Sequence, residues 1–210
     1  MTSPKNLLPL ALLAAMLSAV SAEDTVLLPE GAPCDFLVPS VENGGSSLGL
    51  SWVGPAAPAN IENWMGGMTG IGYDNDPTYL PLIATDVKAL MDDLHATIYL
   101  RLAFTIADED QLAAVRSLSL NVRSDDGFIA YLNGARVADR NPPEGEPDWD
   151  SEAPQTTGDT VAAQLTPFDI SNFVGELVVG ENLLALHGLN AGSGSSDFLI
   201  SPELVASDIE

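Results

Sequence analysis

The stretch SLSLNVRSDDGFIAYLNGARVA (Ser117–Ala138) decides the fold. Its first half sets Leu118, Leu120 and Val122 against Ser119, Asn121 and Arg123, the period-2 alternation of a strand with one face in a core. Its second half carries the apolar run Phe128–Leu132, then Asn133-Gly134, then Ala135–Ala138. A two-residue Asn-Gly loop tolerates positive φ at both central positions, which the tight turn of a twisted hairpin demands. The segment therefore predicts a strand followed by a hairpin.

Working outward, TIYLRLAFTI (Thr97–Ile106) sets Ile98, Leu100, Leu102, Phe104 and Ile106 against Tyr99, Arg101, Ala103 and Thr105. It reads as another strand with one buried face. TVAAQLTPFDI (Thr160–Ile170), ENLLALHGLN (Glu181–Asn190) and SDFLISPELVA (Ser196–Ala206) read as further strands. WMGGMTGIGYDNDP (Trp64–Pro77) reads as a glycine-rich loop with one brief strand at most. LIATDVKALMDDL (Leu82–Leu94) places Val87, Leu90, Met91 and Leu94 at helical spacing, with Thr85 or Asp86 positioned to cap. Eight or more strands, one short helix and no strand–helix alternation predict an all-β sandwich of the jelly-roll kind.

The ends and totals bound the setting. Lys5, the apolar run Leu7–Val20 and the small residues Ser21-Ala22 form the plan of a secretory leader, 1–22. The run is too short for a span of about 20 residues. The expectation is a leader, then one β-sandwich domain over 23–210, exported to the extracellular space or the periplasm, with no membrane span. Thirty acidic residues face seven basic ones, for a net charge of −23. With no basic cluster to neutralise phosphates, nucleic acid is excluded as a partner. The single cysteine, Cys34, allows no internal disulfide and reads as a buried apolar residue.

The order DDGFIAYLNGARVADRN, then FDIS, GENLLALHGLN and SSDFLISPELVA resembles the galactose-binding-domain-like jelly rolls of large exported bacterial proteins. The hairpin, FDIS and Gly-x-Asn-x-Leu-Ala order is also similar to the sugar-binding jelly roll of family 2 glycoside hydrolases. GIGYD, YLRLAF and Trp149–Ala153 match the exported set too, so the likeness covers roughly residues 64–205. The chain departs from that pattern at Cys34, where an aromatic is frequent, and at NIENW before Trp64, where an acidic pair is frequent. The resemblance implies a galactose-binding-like sandwich, and it implies sugar binding, protein contact or spacing as functions.

Candidate site residues gather in the long connections. Trp149 with Arg140 and Asn141, flanked by Asp148 and Asp150, pairs an indole face with groups suited to sugar hydroxyls. Asp126 and Asn190 complete the expected ligand-binding set, although loop Asp residues such as Asp125 and Asp126 also serve as turn acceptors. Asp74 and Asp76 in YDNDP (Tyr73–Pro77) are the candidate ligands of a structural Ca²⁺, a hard cation that takes oxygen donors. Two isolated histidines, His95 and His187, give no zinc spacing. GSGSS (Gly192–Ser196) lacks the Gly-x-Ser-x-Gly elbow of a hydrolase. The expected function is a non-catalytic carbohydrate-binding module whose partner is a polysaccharide or glycoconjugate. The alternative is a structural or adhesion domain contacting other extracellular protein domains.

Overall fold

The computed structural model describes residues 24–208; the expected leader, 1–22, lies outside them. The chain forms twelve strands in order: β1 (Asp24–Leu28), β2 (Pro33–Leu37), β3 (Met65–Met68), β4 (Ile71–Asp74), β5 (Thr85–Asp86), β6 (Thr97–Ile106), β7 (Ser117–Asp125), β8 (Gly127–Leu132), β9 (Ala135–Arg140), β10 (Thr166–Asp169), β11 (Gly180–Leu189) and β12 (Asp197–Ser207). One sheet has the order β10-β7-β12-β4-β5, with β1 paired to the C-terminal part of β12. The other has the order β3-β2-β6-β11-β8-β9. All pairs are antiparallel except β4 with β5. The all-β sandwich expected from the alternation is the observed fold. Among the described residues no helix is long and apolar enough to cross a membrane.

The main core lies between the sheets. Ile98, Leu100, Leu102, Phe104 and Ile106 of β6 meet Leu118, Leu120 and Val122 of β7, together with Leu184, Leu186, Phe198 and Ile200. The hairpin turn is as expected, with φ of 51° at Asn133 and 98° at Gly134. The Asn133 side chain also works across the edge of the sheet, donating to Glu176 O and Asn182 Oδ1 and accepting from Leu183 N.

Three details depart from the alternation-based expectation. Met65–Met68 and Ile71–Asp74 form two strands where one was expected, because each finds an open edge to pair with, β2 and β12 respectively. Thr160–Ala163 is not strand: Asp159–Ala162 makes one helical turn (α3), and only Thr166–Asp169 pairs. The stretch ADEDQLAAV, residues 107–115, which reads as a turn or a single helical turn, forms a short helix (α2, Glu109–Ala114) capped by the Asp108 carboxylate, which accepts from Gln111 N at 2.8 Å. The expected helix shrinks to Lys88–Met91 (α1), with Asp86 accepting from Lys88 N. Val87 and Met91 are buried there, while Leu94 stays in water.

A larger departure concerns the outer face of the β6-containing sheet, expected to be solvated. Tyr99, Tyr131, Ile129, Ala185 and Leu189 point outward, yet they are buried in a second apolar cluster. The connection between β2 and β3 lies over them, and its Trp52 ring stacks on Tyr99 at 4.1 Å between centroids. Arg101, on the same face, fixes this cover. Its guanidinium donates to the carbonyls of Trp52, Gly54 (2.9 Å), Pro55 (3.4 Å) and Ala56 (3.2 Å). It also lies 6.0 Å from the Trp64 ring. His187, fully enclosed between Tyr99 and Trp52, has its pKa pushed down to about 3 by burial and is neutral. Cys34 is buried as expected, and burial lifts its thiol to about 12.

Replacing Arg101 by Met keeps much of the stem and removes the clamp. Loss of charge-assisted bonds to several carbonyls is expected to cost about 2–4 kcal/mol, read by chemical denaturation, with new protease cleavage between residues 48 and 64.

Candidate functional site

The connection between β9 and α3, residues 141–158, is held at one end of the sandwich by a few polar anchors. The principal one is Asp126, at the bend from β7 to β8. Its N–H donates to Leu189 O at 3.0 Å. Its carbonyl accepts from Thr157 Oγ1 at 2.7 Å and Asn141 Nδ2 at 3.0 Å. Its carboxylate accepts from Thr157 N at 2.6 Å and from Ala191 N at 2.8 Å. One buried residue thus ties together β11 and two rim loops. The turn-acceptor role that loop aspartates commonly fill is present here, but its donors are distant in sequence.

Asn190 is buried alongside. Its amide donates to Asp197 O at 2.9 Å and Tyr73 Oη at 3.3 Å, and its carbonyl accepts from Ala153 N at 2.9 Å. Arg140 donates to Ser124 Oγ at 3.2 Å and lies 5.5 Å from the Phe168 ring. Asp126, Asn141 and Asn190 are therefore brought together as the footing of the rim. Their polar atoms are largely occupied by the protein itself.

Asp125, next to this footing, is buried too. Burial holds its carboxyl well above the usual range, reinforced by the adjacent Asp126 and by Asp197; the buried Tyr79 side chain packs nearby. In the unfolded chain this group ionises near its ordinary 3.8, so above that pH the folded state binds the extra proton. The contribution of Asp125 to stability consequently falls as pH rises from about 4 through neutrality, while the buried neutral His187 contributes in the opposite sense up to about pH 6.5. Asp125→Asn is expected to flatten that decline and to raise the melting temperature at pH 8 more than at pH 4, as thermal scans across that range will show.

Trp149 sits on a turn closed by Asp148. The Asp148 carboxylate accepts from Trp149 N at 2.7 Å, and Asp148 N donates to Ser151 Oγ at 2.8 Å. Ser151 O accepts from Thr97 Oγ1 at 2.6 Å, docking the turn on the start of β6. The indole packs half-buried against the outer apolar cluster. Its remaining surface lines a cleft of about 340 Å³ with Leu94, His95, Asp150, Glu152 and Ser193. Of the expected set, only Trp149 faces this cleft together with one of its acidic neighbours. Leu94, His95, Glu152 and Ser193 were not singled out as its partners, because they come from three connections that only the fold brings together.

The YDNDP turn is self-contained. Asp74 Oδ1 accepts from Asp76 N and Oδ2 from Tyr79 N, each at 2.7 Å, and Asp76 is exposed. Among the described residues no three His, Cys, Asp or Glu side chains are grouped so as to hold a metal ion.

No family model matches the chain, and no curated protein matches it. Solved structures do. A β-glucuronidase of Bifidobacterium dentium, in complex with coumarin-3-O-glucuronide, is similar at 17% identity and a TM-score of 0.47, over 81% of this chain and 20% of that one. A β-glucuronidase of Bacteroides uniformis is similar at 12% identity and 0.49, over 89% and 18%. One from an uncultured Clostridium gives 11% and 0.47, over 91% and 30%. The chain thus spans less than a third of the length of these enzymes. No residue's role passes from them to this chain at such identities.

Proposed function

We propose that the chain is a non-catalytic carbohydrate-binding module that acts outside the cell and recognises glycan through the rim loops. The observation that carries this reading is the cleft beside Trp149. It offers a partly exposed indole face next to two free-standing carboxylates, Asp150 and Glu152, and the Ser193 hydroxyl. Sugar rings present C–H faces that stack on indole, and their hydroxyls donate to carboxylates in fixed positions. The turn holding Trp149 is anchored to β6 and to Asn190, so little ordering cost falls on binding. Affinity per site is expected to be weak, with avidity supplied by repetition of modules or of sugar units.

Affinity electrophoresis in soluble polysaccharides, backed by a glycan array with Ca²⁺ present, tests the reading. Retardation is expected for at least one glycan. Trp149→Ala is expected to abolish it, and because the indole also packs on the outer cluster, a modest loss of melting temperature accompanies it. Glu152→Gln and Asp150→Asn touch exposed groups only, so each is expected to weaken binding with the melting temperature unchanged. Silence across neutral and acidic glycans defeats the proposal in favour of a protein-contact domain.

A further inference from the structure

The opposite end of the sandwich carries a second, larger groove of about 740 Å³. β7 runs from this groove at Ser117 to the Trp149 end at Asp125, and β12 runs the other way. At about 3.3 Å per residue, the nine residues of β7 separate the two ends. The groove lies between the entry to β7, the end of β12 and the bend after β10.

Its walls are polar and rigid. Arg116 enters β7 with its N–H donating to Ser207 O at 2.8 Å, directly after the buried Val115. Facing it, the Asp169 carboxylate accepts from Ser171 N at 3.0 Å and Ser171 Oγ at 2.6 Å, while Ser171 Oγ accepts from Leu118 N at 3.1 Å. These bonds fix the backbone of both walls.

The charged head in the groove is unspent. Among the described residues, five basic side chains are committed: Lys88 to Asp92, Arg101 to the covering loop, Arg123 to Glu30, Arg136 to Asp139, and Arg140 to Ser124. Among the described residues the Arg116 guanidinium alone has no hydrogen-bond or ion-pair partner, in a chain of net charge −23. The Ser117 hydroxyl and the Asn172 amide in the same groove are likewise uncommitted. A guanidinium fork matches a carboxylate in two parallel bonds. Hydroxyl and amide groups on either side suit the ring hydroxyls of a sugar.

We infer that this groove is a second glycan subsite, which takes a sugar unit bearing a single carboxylate, held by Arg116 and flanked by Ser117 and Asn172. It rests on the carbohydrate reading but uses none of the Trp149 cleft. The surrounding acidity rules against a run of anionic units: a polyanion would be repelled over a Debye length of about 8 Å at physiological salt. One carboxylate in direct contact with a guanidinium is a short-range interaction and survives there.

The test is titration of the full chain with D-galacturonic acid, followed by amide chemical shifts, at ~150 mM salt. Shifts are expected at residues 116–119 and 169–172, and not at Trp149. Arg116→Gln is expected to weaken this binding about tenfold or more, as loss of a charge-assisted pair does, with melting temperature unchanged. Asn172→Ala is expected to weaken it a few-fold. Equal binding of the methyl ester, of acetate or of a sulfated sugar overturns the assignment, as does unchanged binding by Arg116→Gln. A loss confined to Trp149→Ala would sink this inference while leaving the first site standing. Uronate binding that persists in Trp149→Ala and vanishes in Arg116→Gln supports this site even if the cleft proves silent.

Discussion

Burial of one sheet on both faces is the constraint from which the rest of this structure follows. β11 and β6 carry apolar side chains inward to the other sheet and aromatic or aliphatic ones outward. Outward groups such as Tyr99, Tyr131 and Leu189 must be removed from water, and among the described residues no third layer of regular structure does it. Two long connections do the work instead, one bringing Trp52 and the other bringing Trp149. Irregular backbone over an apolar surface leaves carbonyls in need of donors. Arg101 meets that need for the first connection, and Asp126 and Asn190 fix the second. The buried cation and the buried carboxylate are consequences of the covering, not ornaments on it.

The same constraint shapes the electrostatics. In a chain with so few basic residues, a buried carboxylate finds few cations, so Asp126 is satisfied by backbone N–H groups and Asp125 by keeping its proton. Of the engaged cations, Arg101, Arg123 and Arg140 each hold a loop or a neighbouring strand, while Lys88 and Arg136 pair with carboxylates close by in the chain. Arg116 stands apart because its neighbours, the Asp169 turn and the Ser207 carbonyl, are already satisfied by backbone and hydroxyl partners. A free guanidinium in an acidic protein is therefore a local feature of one groove, distinct from any general affinity for anions.

The other sheet contrasts with this. Its outer face carries Ser119, Asn121, Ser201 and Glu203, with Asn121 donating to Glu203 and Ser201 to Glu30. A hydrogen-bonded polar face needs little cover, so on this side the overlay is local: Tyr79 and the Ala162 turn lie over Leu199, and Arg123 donates to Ala163 O. The two proposed sites sit at opposite ends, where strand ends and connections meet, because strand interiors in either sheet are committed to packing or to pairing.

Strand positions, the Asn133-Gly134 hairpin and the inward faces of β6 and β7 were legible in the sequence, because alternation and turn chemistry are local and repeat at short range. The two-faced burial was not, since Tyr99 and Arg101 look like the solvated side of a strand until Trp52 is laid over them. For the rim, Trp149 and its acidic neighbour were readable as residue types suited to recognition. Asp126, Asn141 and Asn190 were readable as polar loop residues suited to a ligand, and their service as footing depends on hydrogen-bond partners up to 117 positions away. Sequence alone determined which segments extend and which side chains want the core. Tertiary structure decided which polar groups remain free to meet another molecule, because a hydrogen bond spent on a distant backbone leaves no local trace in the chain.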